Sequence, residues 1–147
     1  PGSTPWTPRE QSTILSCVEL PQADRTMIRE LGASMNARNR RRRARHAAAL
    51  EARIAEAHRE IDRLVCEFRS IDPDLERVVL FGSLARGNVT RLTFDIDLAV
   101  SSSRYLELLG PALDSPFEVD LVDLDSASRY VLEAIARHGV EKYRAGT

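Results

Sequence analysis

From Ala47 to Arg69 the apolar side chains recur at helical period. Leu50, Ile54, Ile61, Leu64, Val65 and Phe68 fall at i, i+4, i+11, i+14, i+15 and i+18, with Ala47 and Ala57 on the same side. Charges fill the opposite face, so the spacing predicts one long amphipathic helix packed on a core. Ser70 and Ile71-Asp72-Pro73-Asp74 break it. The period then changes. Arg77 to Phe81 is a short continuous apolar run, too short for a helix, that stops at Gly82-Ser83. Leu84 to Gly87 suit one helical turn, Asn88 to Thr93 a polar loop, and Phe94 to Val100 alternate as a second strand. After a turn at Ser101–Ser103, Arg104 to Leu109 or Leu113 reads as a short helix and Phe117 to Asp123 as a third strand. A last helix is expected from Ser126 or Ala127 to His138, its apolar face Val131, Leu132, Ile135 and Ala136, with Gly139 stopping it. Strands alternating with helices indicate an α/β fold with one small sheet of about three core strands.

The first 45 residues are patterned more weakly. Thr7-Pro8-Arg9-Glu10 has the form of a helix start, with a capping Thr, Pro at the first helical position and Glu three residues after the cap. Ile14, Leu15 and Val18 would give it an apolar face before Pro21 ends it. A second short helix is expected from Asp24 to Leu31, closed by Gly32. Asn36 to Arg45 is strongly basic. Such a run serves either an anionic partner or the solvated opening turns of the long helix. It has no aromatic side chain to stack on a base, which favours the solvated helix over nucleic-acid binding.

Composition narrows the class. The 147 residues carry 21 Lys and Arg against 22 Asp and Glu, a net charge of −1, with 43% hydrophobic residues. Those values describe one globular domain and exclude collagenous, disulfide-rich and wholly disordered chains. Near-neutrality argues against a binder of nucleic acid by bulk charge. Two cysteines, Cys17 and Cys66, and three histidines, His46, His58 and His138, show no zinc-ligand spacing. No apolar run reaches the roughly 20 residues of a membrane span. No basic-then-apolar leader opens the chain either, so a cytoplasmic protein without membrane contact is expected. The charge is uneven, however. Residues 1–70 hold 13 Lys and Arg against 9 acids, and residues 71–147 hold 8 against 13.

Several of those later acids interrupt hydrophobic strands. In Phe94-Asp95-Ile96-Asp97-Leu98 the strand period puts Asp95 and Asp97 on one face and the apolar residues on the other. Two carboxylates about 5–7 Å apart repel, and the usual relief is a raised pKa or a bound cation. Magnesium suits such a pair, because it takes one or two carboxylates together with substrate phosphates. A DxD alone could equally be an exposed acidic edge. Two features shift the balance: Asp120 is embedded between Val119 and Leu121, and Gly82-Ser83 precedes a helical turn whose amides and hydroxyl could cradle phosphate. Together these parts suit nucleotidyl transfer, with Asp95, Asp97 and Asp120 around two metal ions and Gly82 and Ser83 on the departing phosphates. Arg86 would either add charge there or pin the loop through a salt bridge.

Gly82-Ser83-Leu84-Ala85-Arg86-Gly87, Asp95-Ile96-Asp97-Leu98-Ala99-Val100 and Val119-Asp120-Leu121-Val122, in that order, resemble the signature of the minimal nucleotidyltransferases of the DNA polymerase β superfamily. The likeness covers roughly residues 47–145 and includes Arg137-His138-Gly139-Val140-Glu141-Lys142-Tyr143. It implies a polymerase-β-like fold, a small mixed sheet flanked by helices. It also implies Mg2+, two ions, at Asp95 and Asp97 with Asp120 as the third catalytic acid, and the ATP triphosphate held by Gly82 and Ser83, beside which Arg86 is the further nucleotide-binding candidate. Many such proteins are antitoxins that silence a HEPN-type toxin by adding AMP to a toxin tyrosine. A nucleotidyltransferase domain over residues 46–147 behind a helical, basic extension over residues 1–45 is therefore expected, the extension serving partner binding or self-association. Transfer to a small antibiotic, or toxin binding without catalysis, are the alternatives. The chain departs from the family pattern twice. Eleven residues separate Ser83 from Asp95, one more than small members often carry, and Phe94 stands where Ser is usual before the first acid.

Overall fold

The computed structural model describes residues 21–146. In chain order the elements are α1 (Gln22–Ile71), β1 (Arg77–Phe81), α2 (Gly82–Ala85), β2 (Ile96–Ser101), α3 (Tyr105–Leu113), β3 (Val119–Asp123), α4 (Arg129–His138) and β4 (Val140–Arg144). The chain divides into two units, residues 1–44 and 45–147. The helix start expected at Thr7 lies outside the described residues.

Over residues 22–44 the chain is helical throughout, and Met27, Ile28, Leu31 and Met35 are exposed. The expected short helix from Asp24 to Leu31 is thus not a separate element, and Gly32 does not stop it. A single glycine costs a helix interior only about 1 kcal/mol, and no proline follows to remove a hydrogen bond. Arg38 to Arg45 are exposed on helical turns.

In the second unit α1 buries Ala57, Glu60, Ile61, Leu64 and Phe68. This is the stripe anticipated from the sequence, and it packs on one face of a four-stranded sheet of order β3-β2-β1-β4. β1 pairs antiparallel with β2 and with β4, whereas β2 and β3 run parallel, joined through α3 as a parallel pair requires. The sheet is mixed, as the family resemblance implied, with one strand more than the sequence suggested. β4 follows α4 at Gly139, where a Cβ would come within 2.5 Å of the Ile135 carbonyl oxygen and 3.0 Å of Val79. Glycine lets helix, turn and strand meet there without collision.

The faces of the sheet differ. Val78, Leu80, Ile96, Leu98 and Val100 join α1, Leu108 and Phe117 in the larger cluster. Val79, Phe81 and Ala99 meet Ile135 of α4 on the other face, with Val122, Leu124 and Val131 around them. Buried Glu60 ties α1 to the loop before β3. It accepts from Arg63 at 2.9 and 2.7 Å and from the Ser115 hydroxyl at 2.7 Å, and the Arg63 bonds hold its carboxyl below the usual range.

Candidate active site

Alternation along β2 decides which residues remain for chemistry. Ile96, Leu98 and Val100 go to the α1 side, so Asp97 emerges on the α4 side beside Phe81 of β1. On the other flank the parallel register pairs Asp97 with Asp120. Paired residues of neighbouring strands share a face at about 4.8 Å between backbones, so the two carboxylates stand side by side. Asp95 is exposed just before the strand begins, and it lines the same cleft as Asp97. The other two acids predicted from the sequence, Asp95 and Asp120, therefore converge on Asp97. Its pKa is raised, first by burial, then by the charges of Asp120 and Asp95. Arg86 and the backbone of Ser83 partly offset the rise.

Gly82 makes this approach possible. Its φ is +73°, and a Cβ on it would stand 1.8 Å from Asp97 Oδ2. No other residue fits the β1–α2 junction with the carboxylate in place. The sequence reading assigned this glycine to close approach of a phosphate, whereas the atom it accommodates is the Asp97 side chain. Ser83 is half-buried and lines a cleft of about 270 Å³ with Asn88, Thr90, Phe94, Asp95 and Asp97. Arg86 caps α2, donating its backbone N–H to the Gly82 carbonyl at 3.3 Å. No ion pair engages its guanidinium among the described residues, so the salt-bridge pin is not what Arg86 forms. Phe94 borders the Ser83 cleft and packs on Phe117, their ring centres 6.1 Å apart. Asp120 is steadied from behind, since the Tyr105 hydroxyl donates to the neighbouring Leu121 carbonyl at 2.7 Å.

A nucleotidyltransferase domain family model matches residues 61–141, more than half of the chain. The chain belongs to that family. The match runs from the buried part of α1 into β4 and contains every site residue named above. Among solved structures, a nucleotidyltransferase proposed for Sulfolobus solfataricus shares 18% of residues over 66% of this chain and 88% of its own, with a TM-score of 0.50, which is a likeness of fold. A chain from a toxin–antitoxin complex with AMP-PNP shares 30% over 58% of this chain and 74% of its own, with a TM-score of 0.45. One from a complex of tri-AMPylated Shewanella oneidensis HEPN toxin with MNT antitoxin shares 24% over 65% and 73%, with a TM-score of 0.41. None of the curated proteins matches the chain.

The candidate site presents oxygen donors and an excess of negative charge. Among the described residues no three acid, histidine or cysteine side chains form a ready-made metal cage. The donor set nonetheless fits magnesium, which binds through one or two carboxylates and completes its shell with water and substrate phosphate. The crowding that raises the Asp97 pKa is what such an ion relieves. Sequence reasoning missed the residues of α4 that adjoin Arg86: Tyr130, Glu133, Arg137 and His138. Arg137 and His138 stand in the last segment of the family likeness, but nothing in the sequence places α4 beside Arg86. No helix among the described residues is long and apolar enough to cross a membrane.

Proposed function

We propose that this nucleotidyltransferase moves AMP from ATP, with magnesium, onto a hydroxyl group, the acceptor being a tyrosine of a HEPN-type toxin that the chain thereby silences. The observation that carries the reading is the convergence of Asp95 and Asp120 on Asp97 beside Gly82-Ser83. Asp95 and Asp97 would hold magnesium, which when bound supplies positive charge for the phosphates and acidifies the acceptor hydroxyl. Asp120 takes the proton of that hydroxyl as its oxygen bonds to the α-phosphorus. The bond from the α-phosphorus to the bridging oxygen of the β-phosphate breaks, and pyrophosphate leaves with the electron pair. Ser83 and Arg86 balance charge on the departing phosphates. In this reading residues 46–147 form the catalytic domain and residues 1–45 an extension.

The acceptor class follows from the sequence resemblance and agrees with exposed acids at an open sheet edge, which a macromolecular hydroxyl can reach. The test incubates the protein with magnesium, ATP labelled at the α-phosphate and the protein encoded by the adjacent gene. Label on that partner, absent with Asp95→Ala/Asp97→Ala, supports the reading. Unlabelled partner that is nevertheless inhibited by both forms would replace transfer with silencing by contact.

A further inference from the structure

One turn beyond Ser83, Arg86 faces a second and smaller pocket. Its other walls come from α4: Tyr130, Glu133, Ala134, Arg137 and His138 enclose about 150 Å³. That is well below the roughly 300–1,000 Å³ of pockets that surround a whole small molecule. It is the scale of a phosphate chain rather than of a nucleoside. The charge is biased as well. Two guanidiniums and an imidazole share the space with one carboxylate, and Glu133 is drawn toward Arg129 at 3.0 Å, while Arg137 reaches it only at 4.0 Å. Guanidinium groups that outnumber the carboxylate beside them favour a multiply charged oxyanion, which they bind in bidentate fashion. The C-terminal end of a helix repels anions, so the affinity must come from these side chains rather than from the α4 backbone.

Arg86 links the two pockets. It acts on Asp97 through space and also lines the α4 pocket. We propose that this pocket is the subsite for the β- and γ-phosphates of the nucleoside triphosphate, and for the pyrophosphate that leaves, with Arg137 and His138 as its own ligands and Arg86 shared with the acid cluster. The proposal rests on the nucleotidyl-transfer reading, and it gives Arg137 and His138 a binding role that the sequence did not assign to them. The triphosphate would then lie across the α2 turn, its α-phosphorus beside the acids and its tail against α4.

Calorimetry with inorganic tripolyphosphate, with and without magnesium, tests the subsite without turnover. The expected result is binding by the parent protein, weakened roughly tenfold or more in Arg137→Ala/His138→Ala and within about twofold of parent in Arg59→Ala, an exposed position on α1. Circular dichroism checks that each variant is folded. In the transfer assay the double variant should raise KM for ATP about tenfold, change kcat less than about threefold, and weaken inhibition by pyrophosphate but not by AMP. Tripolyphosphate binding that is absent in the parent, unchanged in the double variant, or lost equally in Arg59→Ala overturns the subsite. The two readings fail separately. A parent that binds tripolyphosphate but transfers nothing, with binding lost in Arg137→Ala/His138→Ala, keeps the subsite and removes the reaction, whereas normal transfer with tripolyphosphate binding unaltered in the double variant does the reverse.

Discussion

The two faces of β2 divide the work of the protein between them. Ile96, Leu98 and Val100 point toward α1 and are wholly buried, so that face supplies cohesion. Asp97, between Ile96 and Leu98, points the other way into a group of like charges and works against cohesion. Only Val79, Phe81, Ala99 and Ile135 are buried in the cluster beneath α4. A strand that alternates can thus anchor a strained, functional carboxylate with the apolar neighbours on either side of it. The larger cluster offsets the repulsion that the acid cluster creates.

This division can be broken from either side. The largest expected effect is on chemistry: Asp95→Ala/Asp97→Ala should lower transfer at least about 10³-fold while leaving a folded protein, as measured by label transfer and circular dichroism. On the opposite face, Leu98→Ala should destabilise by about 2–5 kcal/mol in urea titration, yet keep near-parental transfer per folded molecule. Gly82→Ala crosses the division. The new methyl collides with Asp97 and occupies an unfavourable φ, so transfer should fall about a hundredfold together with a loss of about 1–3 kcal/mol in stability.

Glu60 gives a smaller effect and a pH signature. Glu60→Ala should cost about 2 kcal/mol at neutral pH, because it removes the charge-assisted bonds from Arg63 and the bond from the part-buried Ser115 hydroxyl. The folded-state pKa of Glu60 lies below its ordinary value of 4.5, so its contribution is present above that value and is lost as pH falls through the folded one. In urea titrations the difference between parent and variant should therefore be full above pH 4.5 and narrow as the pH falls through the folded-state value below it. Smallest of all, Asp97→Asn removes a charge from a crowded site. Without divalent ions it should melt slightly higher than the parent, by a few degrees at most, and differential scanning calorimetry should show that magnesium stabilises the parent alone.

Local pattern made much of this legible. The α1 stripe, the strand positions around Gly82 and the outward pair Asp95/Asp97 all follow from periods of 3.6 and 2 within a few residues. What was hidden depends on pairing. Val140 to Arg144 carries mostly exposed and half-buried side chains with little alternation, and it becomes β4 only through hydrogen bonding to β1, more than 50 residues away. The side-by-side placement of Asp97 and Asp120 comes from a parallel register that neither strand encodes alone. The same holds for Gly82, whose partner proved to be a side chain from the next strand. Gly32 shows the converse: a residue that usually ends a helix was overruled by the helix-forming residues on both sides.

One paired measurement bears most directly on the division between faces and on the chemistry assigned to the acids. The adjacent-gene protein is incubated with ATP and magnesium, and its intact mass is read after exposure to equal folded amounts of parent, Asp97→Asn and Leu98→Ala. The account predicts the mass of one or more AMP groups added by parent and by Leu98→Ala, and none by the equally well folded Asp97→Asn. Addition by Asp97→Asn at the parental rate, or its loss in folded Leu98→Ala, would contradict it.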